Sequence, residues 1–176
     1  MNIKFYNDLS RKKESFRPLK LSEVTIYVCG PTIYDYAHLG HGRSAVAFDL
    51  LHRYLKHYQF KVKYVFNYTD IEDKMIARAN DEGITVKQLA DKFSAIYDED
   101  YKRLNLIPPF RKPKATEHIP EMIGLIRKLE KKGFTYIIED DGVYYDVMKF
   151  PAYGKLSHQN LEDLKVGARV ETEGKK

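Results

Sequence analysis

The sequence predicts an α/β fold with a parallel sheet, and three observations predict it. A run rich in β-branched and aromatic residues at 24–29 precedes a stretch of helical periodicity at 38–58 and a second such run at 61–67. A strand, a helix and a strand at this spacing form a βαβ unit, whose strands pair parallel by default. Further amphipathic helices follow, and a hairpin pattern comes later. With 176 residues, 43% of them hydrophobic, the chain can bury a core.

The first elements follow from local composition. Ile3 to Tyr6 predicts a short strand, and the charged stretch Arg11 to Glu14 predicts a turn. The strand Val24 to Cys29 ends at Gly30-Pro31, since both residues interrupt regular structure. The helix from His38 to Tyr58 has one apolar face at 3.6-residue spacing. That face consists of Ala47, Leu50, Leu51, Tyr54, Leu55 and Tyr58.

Two helices are predicted after the second strand. The first runs from Asp70 to Asp81 and is closed by Gly83, and Thr69-x-x-Glu72 reads as a capping box at its start. The second begins after Thr85 and carries a clear apolar stripe. The stripe consists of Val86, Leu89, Ala90, Phe93, Tyr97, Tyr101 and Leu104.

The last third of the chain predicts a boundary, a helix and a hairpin. Prolines 108, 109 and 113, with basic residues around them, indicate a boundary between subdomains. A helix over 119–129 has Lys131 and Lys132 in its last turn and Gly133 past its end. Residues 134–138 and 143–147 flank Asp-Asp-Gly, a hairpin signal. From residue 151 the chain looks irregular, and its tail, 171–176, is polar.

Charge and cysteine content limit the possible functions. The formal net charge of +5 suits an anionic partner such as nucleic acid or a nucleotide, although a Lys-rich surface without such a purpose explains it equally well. One cysteine excludes a disulfide within the chain, and we expect a cytoplasmic location. The N-terminus is no secretory signal, and no apolar run approaches the roughly 20 residues of a membrane helix.

The residues with the clearest chemistry lie between the first buried strand and its helix. In open α/β sheets ligands bind beyond the carboxyl ends of strands, and a helix N-terminus there favours phosphate. His38 and His41 are three residues apart and share one face of the first turn. Two imidazole donors there could hold a polyphosphate, and Gly40 would let a base approach the backbone. The alternative is two exposed histidines on an amphipathic helix, beside a lone Cys29 that is a small buried hydrophobe.

Residues 27–43, Tyr-Val-Cys-Gly-Pro-Thr-Ile-Tyr-Asp-Tyr-Ala-His-Leu-Gly-His-Gly-Arg, carry a specific family resemblance. The His-Leu-Gly-His sequence resembles the signature of class I aminoacyl-tRNA synthetases, and its flanks resemble the cysteinyl enzymes. Further stretches match that family in order along the chain. They are residues 67–74, 78–80, 114–119, 153–157 and 167–170. The resemblance implies that 1–114 form the first half of a Rossmann-type catalytic domain and that 115–176 begin an α+β connective insertion.

The resemblance also implies roles for individual residues. His38 and His41 would be the catalytic phosphate contacts, and the ATP site would also include Gly30, Pro31 and Gly40. The substrate cysteine would be bound by Cys29, Gly30 and Thr69. Cys29 would also be a ligand of a zinc ion that binds the substrate thiolate, since zinc favours sulfur at about 2.3 Å. The family's other zinc ligands and its lysine-rich phosphate loop lie in later segments; Lys155-Leu156-Ser157 is not that loop.

The implied activity is ATP-dependent formation of cysteinyl-adenylate, with Mg²⁺ accompanying ATP, and transfer to tRNA(Cys). ATP, L-cysteine and tRNA(Cys) would be the partners, with no membrane involved. We expect these 176 residues alone to be inactive and to be marginally stable or self-associating. Two alternatives stay open. One is a related ligase that joins cysteine to an amino sugar, and the other is a non-catalytic nucleotide- or RNA-binding fragment.

Overall fold

The protein was analysed as a computed structural model that describes residues 3–159. It contains strands and helices, with short 3₁₀ helices at Ala115–His118 and Val147–Lys149. In chain order the elements are β1 (Lys4–Asn7), β2 (Lys12–Ser15), β3 (Glu23–Val28), α1 (Leu39–His57), β4 (Lys61–Phe66), α2 (Asp73–Glu82), α3 (Val86–Arg103), α4 (Ile119–Lys131), β5 (Thr135–Ile138) and β6 (Gly142–Tyr145). The predicted α/β class is confirmed.

A parallel sheet forms the frame of residues 18–119. Strands β3 and β4 pair in parallel, in register from Glu23 opposite Lys61 to Val28 opposite Phe66, which confirms the predicted βαβ unit. A third segment, residues 110–115, continues the sheet beside β4. The Phe110 N–H donates to the Tyr64 carbonyl at 2.7 Å, and the Phe66 N–H donates to the Arg111 carbonyl at 3.1 Å. The proline-rich stretch therefore belongs to the sheet.

The core lies on one face of this sheet. Because side chains alternate along a strand, Tyr64, Phe66 and Tyr68 all point to the same side. They meet α3, whose predicted apolar stripe is buried or partly buried there except at its end, where Leu104 is 46% exposed. The completely or almost completely buried members of the core are Ile33, Tyr68, Met75, Ala79, Leu89, Phe93 and Tyr97. Each large side chain buried in this way stabilises the fold by roughly 1.5–3 kcal/mol.

The helix ends agree with the sequence at two places and correct it at one. Gly83 ends α2 with φ +65, and a capping box joins Thr85 to Gln88 at the start of α3. The capping box predicted for Thr69 and Glu72 is wrong. Helix α2 begins only at Asp73, and its N-cap residue, Glu72, makes no capping hydrogen bond with its side chain. The backbone of Thr69 is instead paired with the loop that follows β3.

Residues 3–17 and 120–159 form a second compact unit. The turn predicted over Arg11 to Glu14 is wrong, because Lys12–Ser15 is a strand that pairs antiparallel with β1, and the turn lies just before it. Helix α4 and the β5–β6 hairpin confirm the predictions for this region, and Asp140 takes the left-handed conformation at the hairpin turn with φ +61. The family-like stretch 167–170 and the polar tail 171–176 lie outside the described residues.

The two compact units meet in sequence between Ile119 and Pro120. The family-based boundary between 1–114 and 115–176 stays a prediction, since compactness and family organisation are different properties. Among the described residues, no helix is long and apolar enough to cross a membrane.

Candidate nucleotide-binding site

The loop from residue 29 to 38 carries most of the candidate site, and the sheet positions it. Beyond the end of β3, the loop continues to pair with the residues after β4. The Thr69 N–H donates to the Pro31 carbonyl at 3.1 Å, and the Ile33 N–H donates to the Thr69 carbonyl at 3.2 Å. Ile33 is completely buried and anchors this crossing. Pro31 and Thr69, both predicted site residues, are therefore neighbours at the carboxyl edge of the sheet.

Gly30 lies where the two strand ends approach most closely. Its N–H donates to Asn67 Oδ1 at 2.8 Å. A Cβ added to Gly30 would lie 1.6 Å from the Asn67 carbonyl oxygen, so no other residue fits this backbone. Asn67 Oδ1 also accepts from the Tyr27 hydroxyl at 3.0 Å. The structure thus gives Gly30 a steric role that is independent of any ligand.

The two signature histidines cap α1 reciprocally. His38 is the N-cap residue, and its Nδ1 accepts from the Gly40 N–H at 3.0 Å. In return, His41 Nδ1 accepts from the His38 N–H at 3.1 Å. The ring centroids are 3.9 Å apart and the rings are tilted by 31°. This is the logic of a capping box, with imidazole nitrogens in place of the usual hydroxyl and carboxylate.

The cap defines the protonation of both rings. A nitrogen that accepts a hydrogen bond carries no proton, so in each neutral ring the proton is on Nε2. Burial lowers the pKa of His41, and the nearby His38 lowers this pKa further. Each ring therefore offers an Nε2–H donor, and some of the N–H groups expected to meet phosphate at the helix N-terminus are already used by the imidazoles.

Gly40 is required by the same geometry. A Cβ at this position would lie 2.7 Å from His38 Cε1 and 2.9 Å from His38 Nδ1. A side chain here would push the His38 ring out of its capping position. The predicted role of Gly40 beneath a base is compatible with this packing, and the structure adds a reason that involves the histidine.

Both histidines line one small cavity of about 280 Å³. The other lining residues are Thr32, Tyr34, Asp35, Tyr36 and Tyr97. The Asp35 carboxylate accepts from the Tyr36 N–H at 2.8 Å and pairs with Arg78 at 2.9 Å, and these two interactions lower the pKa of Asp35. Arg78 also pairs with Glu82 and lies over the Phe93 ring, so α2 fixes one wall of the cavity.

Cys29 does not line this cavity. It is exposed, and its Sγ lies 3.6 Å from the Gly30 carbonyl oxygen. Within residues 3–159, no three His, Cys, Asp or Glu side chains cluster closely enough to hold a metal ion. The described residues therefore offer one candidate zinc ligand but not a zinc site.

Three residues of the site were missed by sequence reasoning. Asn67 and Asp35 lie within stretches that match the family, but nothing in their spacing shows which backbone or side-chain groups they hold. Tyr97 was counted only as part of the apolar stripe of α3. Its ring makes an edge contact with His41, with centroids 5.6 Å apart. The available signal was its polar hydroxyl, which a buried Tyr usually directs at a partner.

Comparison with known proteins settles the family of this domain. Residues 15–176 match the family model of the class I (C) tRNA synthetase catalytic domain. The chain belongs to this family. His38 and His41 thus lie at a βα junction of a class I synthetase catalytic domain.

The curated relatives of this synthetase domain are much longer than the chain. It is 54% identical over its whole length to the cysteine–tRNA ligase of Thermococcus kodakarensis, of which it covers 37%. It is 52% identical over 99% of its length to the corresponding ligase of Methanococcus maripaludis, of which it covers 36%. A bacterial relative, from Caldicellulosiruptor saccharolyticus, is 49% identical. The chain thus spans somewhat more than a third of these relatives.

Solved structures confirm the fold of the synthetase domain. The methionyl-tRNA synthetase of Mycobacterium tuberculosis, in complex with methionyl-adenylate, superimposes with a TM-score of 0.57 at 22% identity. The match covers 64% of this chain and 23% of that one. A second structure of the same enzyme gives a TM-score of 0.58 at 20% identity.

Proposed function

We propose that the protein activates L-cysteine with ATP to cysteinyl-adenylate and transfers the cysteinyl group to tRNA(Cys). The observation that carries the proposal is the reciprocal cap of His38 and His41, which leaves two Nε2–H donors beside one cavity. The identity of 54% to a cysteine–tRNA ligase supports the choice of amino acid. A cytoplasmic location would suit this function.

In the proposed reaction a carboxylate oxygen of cysteine attacks the α-phosphorus of ATP. A phosphorus–oxygen bond forms as the bond to pyrophosphate breaks, and negative charge grows on the phosphate oxygens. His38 and His41 would donate to those oxygens from positions that need no rearrangement, which is the main source of electrostatic catalysis. In the second step a hydroxyl of the terminal adenosine of the tRNA takes the acyl group, and the bond to AMP breaks so that AMP is released.

The remaining assignments follow the position of each residue. Gly30 and Pro31, with Thr69 beside them, would border the ATP and the substrate cysteine at the carboxyl edge of the sheet. Gly40 would lie beneath the adenine. The limits 1–114 for the half domain and 115–176 for the connective insertion belong to the same proposal.

Zinc and Mg²⁺ enter the proposal as family expectations only. Cys29 would be one zinc ligand, but residues 3–159 do not assemble a metal site, so we derive no step that depends on zinc. The Mg²⁺ that accompanies ATP would be held mainly by the nucleotide's own phosphates.

Substitutions of His41 separate its capping role from its catalytic role. In His41→Asn, the amide oxygen replaces Nδ1 as acceptor for the His38 N–H, but the Nε2–H donor is lost. In protein expressed from the complete coding sequence, cysteine-dependent ATP–pyrophosphate exchange should fall by about 100- to 1000-fold. The free energy of unfolding should change little, and tRNA binding should be retained.

His41→Ala is the matched variant, because it removes the acceptor as well as the donor. It should lose a similar factor in exchange and, in addition, about 1 kcal/mol of stability, as is typical when a helix cap is removed. Wild-type exchange rates in His41→Asn would refute the assignment of His41 as a phosphate contact.

A second candidate function is nucleotide binding without turnover by these 176 residues. It is favoured by the histidine pair, whose geometry is complete within residues 38–41, together with the incomplete metal ligand set of the described chain. Calorimetric ATP titration of the 176-residue chain beside the exchange assay separates the two candidates. Binding with no exchange in the protein from the complete coding sequence would favour the second.

A further inference from the structure

Tyr97 contacts His41, the second signature histidine, from a different element. It lies on α3, is only 1% exposed, and places its hydroxyl oxygen 3.4 Å from His41 Nδ1. Its ring also meets the His41 ring edge-on. Since α3 packs against the sheet through Leu89 and Phe93, the position of this hydroxyl is determined by the core and not by the loop.

Two donors converge on one nitrogen of His41. The His38 N–H points at Nδ1 from 3.1 Å, and the Tyr97 hydroxyl approaches the same atom. Burial raises the pKa of Tyr97, so its hydroxyl keeps its proton and can donate it to an unprotonated Nδ1. A proton on His41 Nδ1 would face the fixed His38 N–H and would require the Tyr97 hydroxyl to turn and accept, which disfavours the imidazolium and the Nδ1–H tautomer alike.

The other ionisable groups around His41 do not reverse this preference. His38 lies on the same turn and opposes a second positive charge. Tyr34, Asp35 and Tyr36 face the cavity from the preceding loop. Asp35 is the one carboxylate among the lining residues, and its charge is already paired with Arg78.

We propose that Tyr97 is a positioning residue that holds His41 as the neutral Nε2–H tautomer, with this N–H directed to the phosphates of the bound nucleotide. This inference rests on the proposed function for the identity of the ligand. The tautomer itself is a property of the chain and can be measured without a ligand.

Tyr97→Phe tests the inference, because it keeps the ring in the core and removes only the hydroxyl. Imidazole ¹H–¹⁵N correlation spectra of the 176-residue chain report which nitrogen carries the proton. In the unsubstituted chain, both signature rings should be protonated on Nε2 at neutral pH. In Tyr97→Phe, the forms of His41 with a proton on Nδ1 should become more populated, and its titration should move to higher pH.

Tyr101→Phe is the matched control. Tyr101 lies one turn further along α3, and its ring contacts Phe66 and Tyr97. The His41 spectrum should not change in this variant. Identical titration and tautomer populations in Tyr97→Phe and the unsubstituted chain would overturn the positioning role, and so would equal changes in both variants.

Kinetics in protein from the complete coding sequence provide the second measurement. Tyr97→Phe should lower kcat of pyrophosphate exchange about fivefold, the rate equivalent of one neutral hydrogen bond, with little change in KM. The acid limb of its pH profile should move to higher pH. An unsubstituted protein without exchange activity would refute the proposed function, whereas the spectra would still decide the role of Tyr97.

Discussion

His52 is a buried imidazole on α1, and its burial affects its pKa. It is 5% exposed, its ring centroid lies 5.7 Å from that of Tyr64, and its Nδ1 has no hydrogen-bond partner in the described structure. Burial lowers the pKa of His52, and Lys56 and Arg53 lower it further, against the opposing effect of Asp49. The fold therefore favours the neutral ring, as it does for His41.

The free energy of unfolding should depend on pH through these histidines. In the unfolded chain, histidine takes up a proton as the pH falls through about 6.5. In the folded chain, His41 and His52 take up theirs only at lower pH, because their pKa values are lowered. Stability should therefore be complete above pH 6.5 and decrease below it. Urea unfolding between pH 5 and 8 measures the slope.

His52→Leu should reduce that slope. At pH 7.5 its free energy of unfolding should be at most about 1 kcal/mol below that of the unsubstituted chain, or above it, because an unpaired buried nitrogen is removed. The control is Ser44→Ala, an exposed position of the same helix without a titratable group, which should keep the full slope. A slope that His52→Leu leaves unchanged would assign the pH dependence to other groups.

Single residues also show what sequence alone can establish. The pairing of His38 and His41 follows from their spacing and from the β-rich run before them. Their reciprocal hydrogen bonds do not, because nothing in a sequence says that a histidine will serve as an N-cap. Tyr97 was predicted as buried, which is correct. Its contact with His41 depends on how α3 crosses the sheet, a tertiary property that periodicity does not contain.

At the scale of elements, the first turn of α1 contains a matched pair of glycines. Gly40 lies beneath the His38 ring, whereas a Cβ on Gly42 would meet only Leu104 Cδ1 at 3.6 Å, an ordinary contact. Gly42→Ala should raise the free energy of unfolding by about 0.5–1 kcal/mol, because alanine loses less backbone entropy in a helix. Gly40→Ala should not be stabilised in this way, because its Cβ would displace the His38 ring from its capping position.

The two variants should therefore differ by about 1–2 kcal/mol in urea unfolding, with Gly42→Ala the more stable. Equal stabilities would mean that the His38 ring can leave its capping position without cost. Histidine spectra of Gly40→Ala would then show the His38 ring in a different environment from that in the unsubstituted chain.

Sequence reasoning missed or misplaced three features of the fold, and each has its own physical reason. Strand β2 has only exposed side chains, so it lacks the apolar alternation by which strands are recognised. The start of α2 is displaced to Asp73 because the Thr69 backbone is used by Pro31 and Ile33. The segment 110–115 has a proline and an edge position, and prolines are tolerated at the edge of a sheet. Long helices with clear periodicity were predicted within a few residues.

At the scale of the whole molecule, one face of α1 is apolar and is left exposed by the rest of the described chain. Leu39 is 89% exposed and Leu50 is 66% exposed, and Val46 and Tyr54 continue the stripe at helical spacing. Exposed apolar surface of this kind promotes association. The 176-residue chain should therefore self-associate with rising concentration, as sedimentation velocity would show.

Leu50→Lys should shift that association to higher concentration, because a charge would be placed in the middle of the stripe. Ser44→Lys adds the same charge on another side of α1 and should leave association unchanged. A chain that stays monomeric at high concentration, or equal effects of both substitutions, would contradict the role of this face.

The discontinuous unit of residues 3–17 and 120–159 has a consequence for biosynthesis. The hairpin of β1 and β2 leaves the ribosome before residues 18–119, but the helix and hairpin that complete its unit are encoded about a hundred residues later. At 5–20 residues per second the wait is about 5–20 s. Residues 18–119, which contain the histidine pair, are contiguous and emerge during that interval. The unit that contains the histidine pair can therefore fold before residues 120–159 have been synthesised.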